Sequence, residues 1–261
     1  MRGALLALAA VACAAAPSIT GGAETSRRPT RAELDAVTER GRLLAGFDSA
    51  AARATDAVFA LHPDPAMMSR YIAIRSDRGW VVEFGKVDGD VFNVAYEARP
   101  GIGAYKADAL VPPRAETGYA LTAARALDIT AGLLRGHRPY NAAVLPAGEG
   151  RVFVYAYPGP QKGDEIPLGA DVRWLVSADG KKVLEERKLH EGVIPSPPPG
   201  AAAQAHTHVL RDAVEDTDVM HALQTHLPQI VTMPSRDLVE IDPEGHITWT
   251  AAEDLRKRFA K

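Results

Sequence analysis

Short apolar runs separated by tight polar turns recur along this chain, and they confine most of it to a sheet built from hairpins. Residues 71–74, 80–87 and 91–96 are rich in Val, Ile, Phe, Tyr and Trp, and are parted by Ser76-Asp77-Arg78-Gly79 and Asp88-Gly89. Asp-Gly between two apolar runs supplies the backbone freedom a two-residue turn requires, so it marks a hairpin. The pattern returns over 142–145, 152–157, 172–176 and 182–187, where Ala178-Asp179-Gly180 turns the last pair. Within that pair Val172, Trp174 and Val176 alternate onto one face. It returns once more over 229–233, 238–241 and 247–250, with Asp242-Pro243-Glu244-Gly245 as the final turn. No internal repeat is visible at the level of residues.

Helical stretches interrupt the hairpins. Thr30-Arg31-Ala32-Glu33 has the form of a capping box, and Leu34, Val37, Leu43 and Leu44 continue it at helical spacing toward Gly46. A second helix is expected over 49–61, closed by His62-Pro63-Asp64-Pro65. Tyr119, Ala123, Leu127 and Leu134 suit an amphipathic helix over 114–134, ending at Gly136. Shorter helices are expected over 216–226 and 251–261. Ile194-Pro195-Ser196-Pro197-Pro198-Pro199-Gly200 is the stiffest stretch, since successive prolines favour an extended polyproline II path. It is read as a linker between a body at 24–194 and a C-terminal segment at 201–261. Sixty-one residues are few for an independent core, so the expected fold class is α+β, a single body with N-terminal helices and a mainly antiparallel sheet.

The chain begins Met1-Arg2-Gly3, followed by an apolar run over 4–16 and small residues beyond it. That matches a secretory signal peptide, here assigned to 1–23, and places the mature protein in the periplasm or outside the cell. The run is shorter than the roughly 20 residues that span a bilayer, and no later stretch reaches that length, so no transmembrane segment is expected. Ala10-Val11-Ala12-Cys13 also resembles a bacterial lipobox, which would tether the protein through an acylated Cys13. Either way the single cysteine leaves the domain without a disulfide framework or a thiolate zinc site. A net charge of −3 gives no case for nucleic acid as partner, because phosphate binding needs concentrated Lys and Arg. A peptide or protein partner stays open.

The eight histidines are unevenly placed, with His190, His206, His208, His221, His226 and His246 in the last 72 residues. His206-Thr207-His208 would present two imidazoles to one side of a strand. Ten residues after His208, Asp218 lies in the first turn of the expected helix, with Asp216 suited to its N-cap. Two neutral imidazoles and a carboxylate are a donor set for Zn²⁺ that leaves a coordination position open. The metal ligands are therefore assigned to His206, His208 and Asp218. His221 shares a helix face with Asp218 and is read as a half-buried polar residue able to assist it. His226 points elsewhere, and His190 and His246 are read as surface residues.

The segment from 203 to 248 resembles the metal-binding core of the JAB/MPN (JAMM) metallopeptidases. In that family a His-x-His pair is followed by a Ser-x-x-Asp element that opens a helix. The resemblance implies His206, His208 and Asp218 as ligands, zinc-bound water as nucleophile and an upstream glutamate as proton shuttle, with Glu215 standing where the family has its serine. Glu83, Glu165, Glu185 and Glu186 are all open as that glutamate. Two functions follow as expectations: a divergent metal-dependent hydrolase, or a non-catalytic periplasmic binding or interaction module with structural histidines.

Overall fold

The computed structural model describes residues 27–134, 139–160 and 166–259. The leader at 1–23 with Cys13, the Gly136 helix end, His137 and Glu165 lie outside them. Thr30 caps helix α1 (Arg31–Phe59), and the capping box with Glu33 forms in full. A single 29-residue helix stands where two shorter ones are expected. Gly46 does not end it, because both glycines of its middle serve packing. A Cβ on Gly46 would stand 2.7 Å from the Trp80 indole nitrogen, and one on Gly41 would stand 2.4 Å from the Val219 Cβ.

Strands β1 (Arg70–Ser76), β2 (Gly79–Asp88), β3 (Val91–Pro100) and β4 (Tyr105–Glu116) form an antiparallel meander in that order. Helix α2 (Tyr119–Ala131) starts five residues later than the sequence suggests. The residues before it pair in β4: Arg114 lies opposite Val94, and its guanidinium holds Glu83 and Glu97 at 2.6 and 2.7 Å. Cross-strand pairing thus overrides local helical periodicity there.

A second meander follows α2: β5 (Tyr140–Gly148), β6 (Arg151–Pro158), β8 (Val172–Val176) and β9 (Val183–Lys188). The molecule therefore contains a helix followed by a four-stranded antiparallel sheet twice over, a repeat of architecture that the sequence does not display. Strand alternation lets β5 and β6 serve two cores at once. Ala143, Leu145, Tyr155 and Tyr157 face α1, while Val144, Val152, Val154 and Ala156 face α2.

The two short strands β7 (Leu168–Gly169) and β10 (Val193–Ile194) pair beyond the end of the second meander. The proline-rich stretch then returns along the body, where Ser196 accepts from the Ile166 N–H at 2.6 Å. It leads into β11 (Gln204–Thr207), helix α3 (Asp216–Thr225), and strands β12 (Gln229–Thr232), β13 (Leu238–Ile241) and β14 (Ile247–Thr250). β11 runs parallel to β12, with α3 as the crossover between them, and β12 to β14 are antiparallel. Leu34 and Val37 of α1 close the third core against Val219, Val231 and Trp249. Helix α4 (Ala252–Phe259) follows. The result is one compact α+β body with mainly antiparallel sheets. Among the described residues no helix is long and apolar enough to cross a membrane.

The tightness of the α1–α3 crossing gives a test. In Gly41→Ala the added methyl has no free volume, so overpacking is expected to cost about 1–3 kcal/mol, read as a lower midpoint in urea unfolding.

Candidate metal centre

β11 and α3 face each other with matched periodicities. Gln204, His206 and His208 follow one another at every second residue and turn toward α3, whose Asp218 and His221 lie three residues apart on the facing side. The sequence places Asp216 at the helix N-cap. The structure gives that position to Glu215, which forms a capping box with Asp218. The reason is that Asp216 is drawn elsewhere: its carboxylate accepts from the Tyr155 hydroxyl at 2.7 Å and from Arg40 at 2.9 Å, and pairs with Arg173 at 3.2 Å.

The three sequence-assigned ligands do come together. The Asp218 Oδ1 lies 3.1 Å from the His206 Nε2, and its Oδ2 lies 3.3 Å from the His208 Nε2. A fourth side chain joins them, and it is one read as a surface residue. The His190 Nε2 lies 3.0 Å from the Asp218 Oδ1 and 3.0 Å from the His208 Nε2, and His190 is only 5% exposed. Donors arranged tetrahedrally around zinc at 2.0–2.1 Å stand about 3.3 Å from one another. The buried group of His190, His206, His208 and Asp218 could therefore hold a metal ion.

The chemistry of the outer contacts agrees. The His208 Nδ1 lies 2.7 Å from the carbonyl oxygen of Ala213, which can only accept, so the ring proton sits on Nδ1 and the Nε2 lone pair points inward. The His190 Nδ1 lies 2.7 Å from the Asp171 carboxylate, which fixes the same tautomer by the same logic. Two lone pairs and a carboxylate then face one small space, which calls for positive charge. Burial disfavours a charged His190, yet Asp218 and Asp171 outweigh it and raise its pKa to about 11. Burial likewise opposes a charged His208, and Asp218 again raises it. For Asp218 burial works against the carboxylate, but His208 and His190 hold it well below the usual range. Its Oδ2 also accepts from the Glu215 N–H at 2.8 Å. His206 is set by its strand and by the Asp218 contact at its Nε2, and among the described residues its buried Nδ1 has no hydrogen-bond partner.

His221 is fully buried and is not a fourth donor. The Gln204 Nε2 donates to the Pro195 carbonyl, which turns Oε1 toward the His221 Nε2 at 2.5 Å. Burial pushes His221 down to about 4, so it is neutral and spends its N–H on Gln204. His226 ends α3 in a left-handed conformation. His246 is exposed, as the sequence suggests, and pairs with Asp242 at 2.9 Å.

Of the glutamates considered as proton shuttle, the three within the described residues do not join the cluster. Glu83 is held by Arg114, Glu186 accepts from the Trp174 indole at 2.9 Å, and Glu185 is exposed on β9. The residues that sequence reasoning missed are His190 and Asp171. No signal in the sequence points to them: counting from Asp179-Gly180 sets Arg187 opposite Val172, and a β-bulge at Leu175/Val176 shifts the register so that Lys188 stands there instead. The ladder then continues with the Leu189 N–H on the Asp171 carbonyl at 3.0 Å, bringing His190 beside the Asp171 side chain. No family model, curated protein or solved structure matches the chain.

Asp171 touches only the far side of His190, which makes it a clean probe. Asp171→Ala leaves all four donors in place and is expected to weaken divalent-metal affinity about 10–100-fold, measured by competition with a chromophoric chelator.

Proposed function

We propose that this is an exported, non-catalytic binding module in which His190, His206, His208 and Asp218 hold one Zn²⁺ as a structural staple. The observation that carries this reading is the number and burial of the donors: three imidazoles and a carboxylate, with none of the four side chains more than 5% exposed. Structural zinc sites take four protein donors, whereas catalytic ones keep a position for water. Three nitrogens and one oxygen suit zinc better than magnesium or calcium, which favour oxygen shells. The metal would supply in fixed form the positive charge that protons on the histidines otherwise provide beside Asp218, and it would tie the loop after β9 to β11 and α3.

A zinc hydrolase of JAB/MPN type would need His206, His208 and Asp218 to share the ion with water. The place of His190 argues against that reading, as does the engagement of Glu83 by Arg114 and of Glu186 by the Trp174 indole. Export rests on the basic start and the apolar run of the leader.

Metal analysis of the full mature protein tests the proposal. The expected result is one zinc per chain, lost in His190→Ala and in Asp218→Ala. At free zinc about a hundredfold above Kd the folded state gains about 2.7 kcal/mol, so chelation lowers the thermal midpoint. Imidazoles bind metal only as neutral bases, so affinity is expected to fall as pH is lowered, with proton release on loading. Full zinc retention in His190→Ala would overturn the four-donor assignment. Wild-type protein that takes up no divalent metal would overturn the site.

A further inference from the structure

Beside the metal centre, and lined by none of its four donors, a cavity of about 690 Å³ opens between α1, β1, β5, β6, α3 and the segment around β7. That size lies within the range of small-molecule pockets. Its charges are one-sided. Among the described residues that line it there is no lysine or arginine, and its fixed charges are the carboxylates of Asp48 and Asp171, with His221 and His226 as the only basic side chains.

Asp48 is the unusual group. Asp48 is half-buried, and the more deeply buried carboxylates have cationic or histidine partners: Glu83 and Glu97 pair with Arg114, Glu215 with Arg187, Asp216 with Arg40 and Arg173, Asp218 with the histidines. Among the described residues Asp48 receives only neutral donors, the Tyr157 hydroxyl at 2.6 Å and the Gln224 amide at 2.8 Å. Burial accordingly pushes its carboxyl up, despite those two bonds. Removing a carboxylate from water without a counter-charge is costly, and a cation seated against it would offset that cost. The cavity wall also contains two unsatisfied polar atoms on side chains more than nine-tenths buried, the Asp171 Oδ2 and the Thr217 Oγ1. Tyr71 and Tyr157 line the same cavity as Asp48, and aromatic rings attract a cation placed against them.

We infer that this cavity is a binding site for a small organic amine, whose ammonium group pairs with Asp48 and whose carbon body lies against Tyr71 and Tyr157. The inference gives the binding-module reading a class of ligand, but it uses none of the four metal donors.

The test uses a matched series on the zinc-treated full mature protein: 2-phenylethylamine, the neutral 2-phenylethanol and the anionic 3-phenylpropionate. Calorimetry and ligand-observed NMR give the affinities. The amine is expected to bind at least about tenfold more tightly than either isostere. Asp48→Asn is expected to bring the amine to the level of the alcohol, with zinc content unchanged. The inference is overturned if the amine shows no binding up to about 10 mM, if either isostere binds as well as the amine, or if Asp48→Asn binds the amine as wild type does. The wild-type comparison stands even if the variant folds poorly. Zinc content, measured on the same samples, separates a failure of the metal assignment from a failure of this one: an amine site without zinc, or zinc without an amine site, identifies which reading fails.

Discussion

The first turn of α3 carries three carboxylates in four residues, and each is committed to a different part of the molecule. Glu215 pairs with Arg187 of β9, Asp216 reaches Arg40 of α1 with Arg173 of β8 and Tyr155 of β6, and Asp218 enters the histidine cluster. All three are at most 2% exposed. Buried charges are tolerated only when paired, so each pairing is a condition on where α3 sits. The partial positive charge of a helix N-terminus favours the same three groups. With three conditions on one turn the helix has little freedom, and the position of Asp218 among the histidines follows from contacts made far from them.

The same anchoring explains why the cluster is closed. β11 has only four residues, yet its parallel pairing with β12 is extended at both ends, by the Gln204 N–H on the Pro228 carbonyl and the His208 N–H on the Thr232 carbonyl, each at 2.9 Å. That fixes the faces of Gln204, His206 and His208 against α3. The second meander then delivers His190 from the opposite side, its ring turned by Asp171. A half-site of two histidines and an aspartate is a reactive arrangement. A third buried imidazole, His190, stands where a bound ion would otherwise have a place for water.

Much of this was legible in the sequence, for identifiable reasons. Hairpins with Asp-Gly turns are read locally, and β8 with β9, and β13 with β14, lie where alternation puts them. The His206, His208 and Asp218 convergence was legible too, because a strand and the helix after it bring near neighbours together. What failed required knowledge of distant partners. The unbroken α1 depends on Val219 and Trp80, which make use of glycines that locally resemble a stop. β4 depends on Glu83 and Glu97, which claim Arg114. His190 follows an apolar residue at a strand end and carries no motif, and its role exists only once a hairpin is aligned with a crossover. The architectural repeat is invisible for a related reason: alternation and turn spacing can be satisfied by many different residues, so two similar layouts need share no sequence.

Burial of the four donors also has a kinetic meaning. His206, His208 and Asp218 fall within 13 residues, whereas His190 is 16 residues before the first of them. Short loops close at lower entropic cost than long ones, so the local half-site can form while the hairpin end is still free. With His190 seated, all four donor side chains are at most 5% exposed, so an ion held by them would leave more readily when β11 or the strand end opens locally. Its residence time would then be a property of the fold's fluctuations more than of the strength of its bonds.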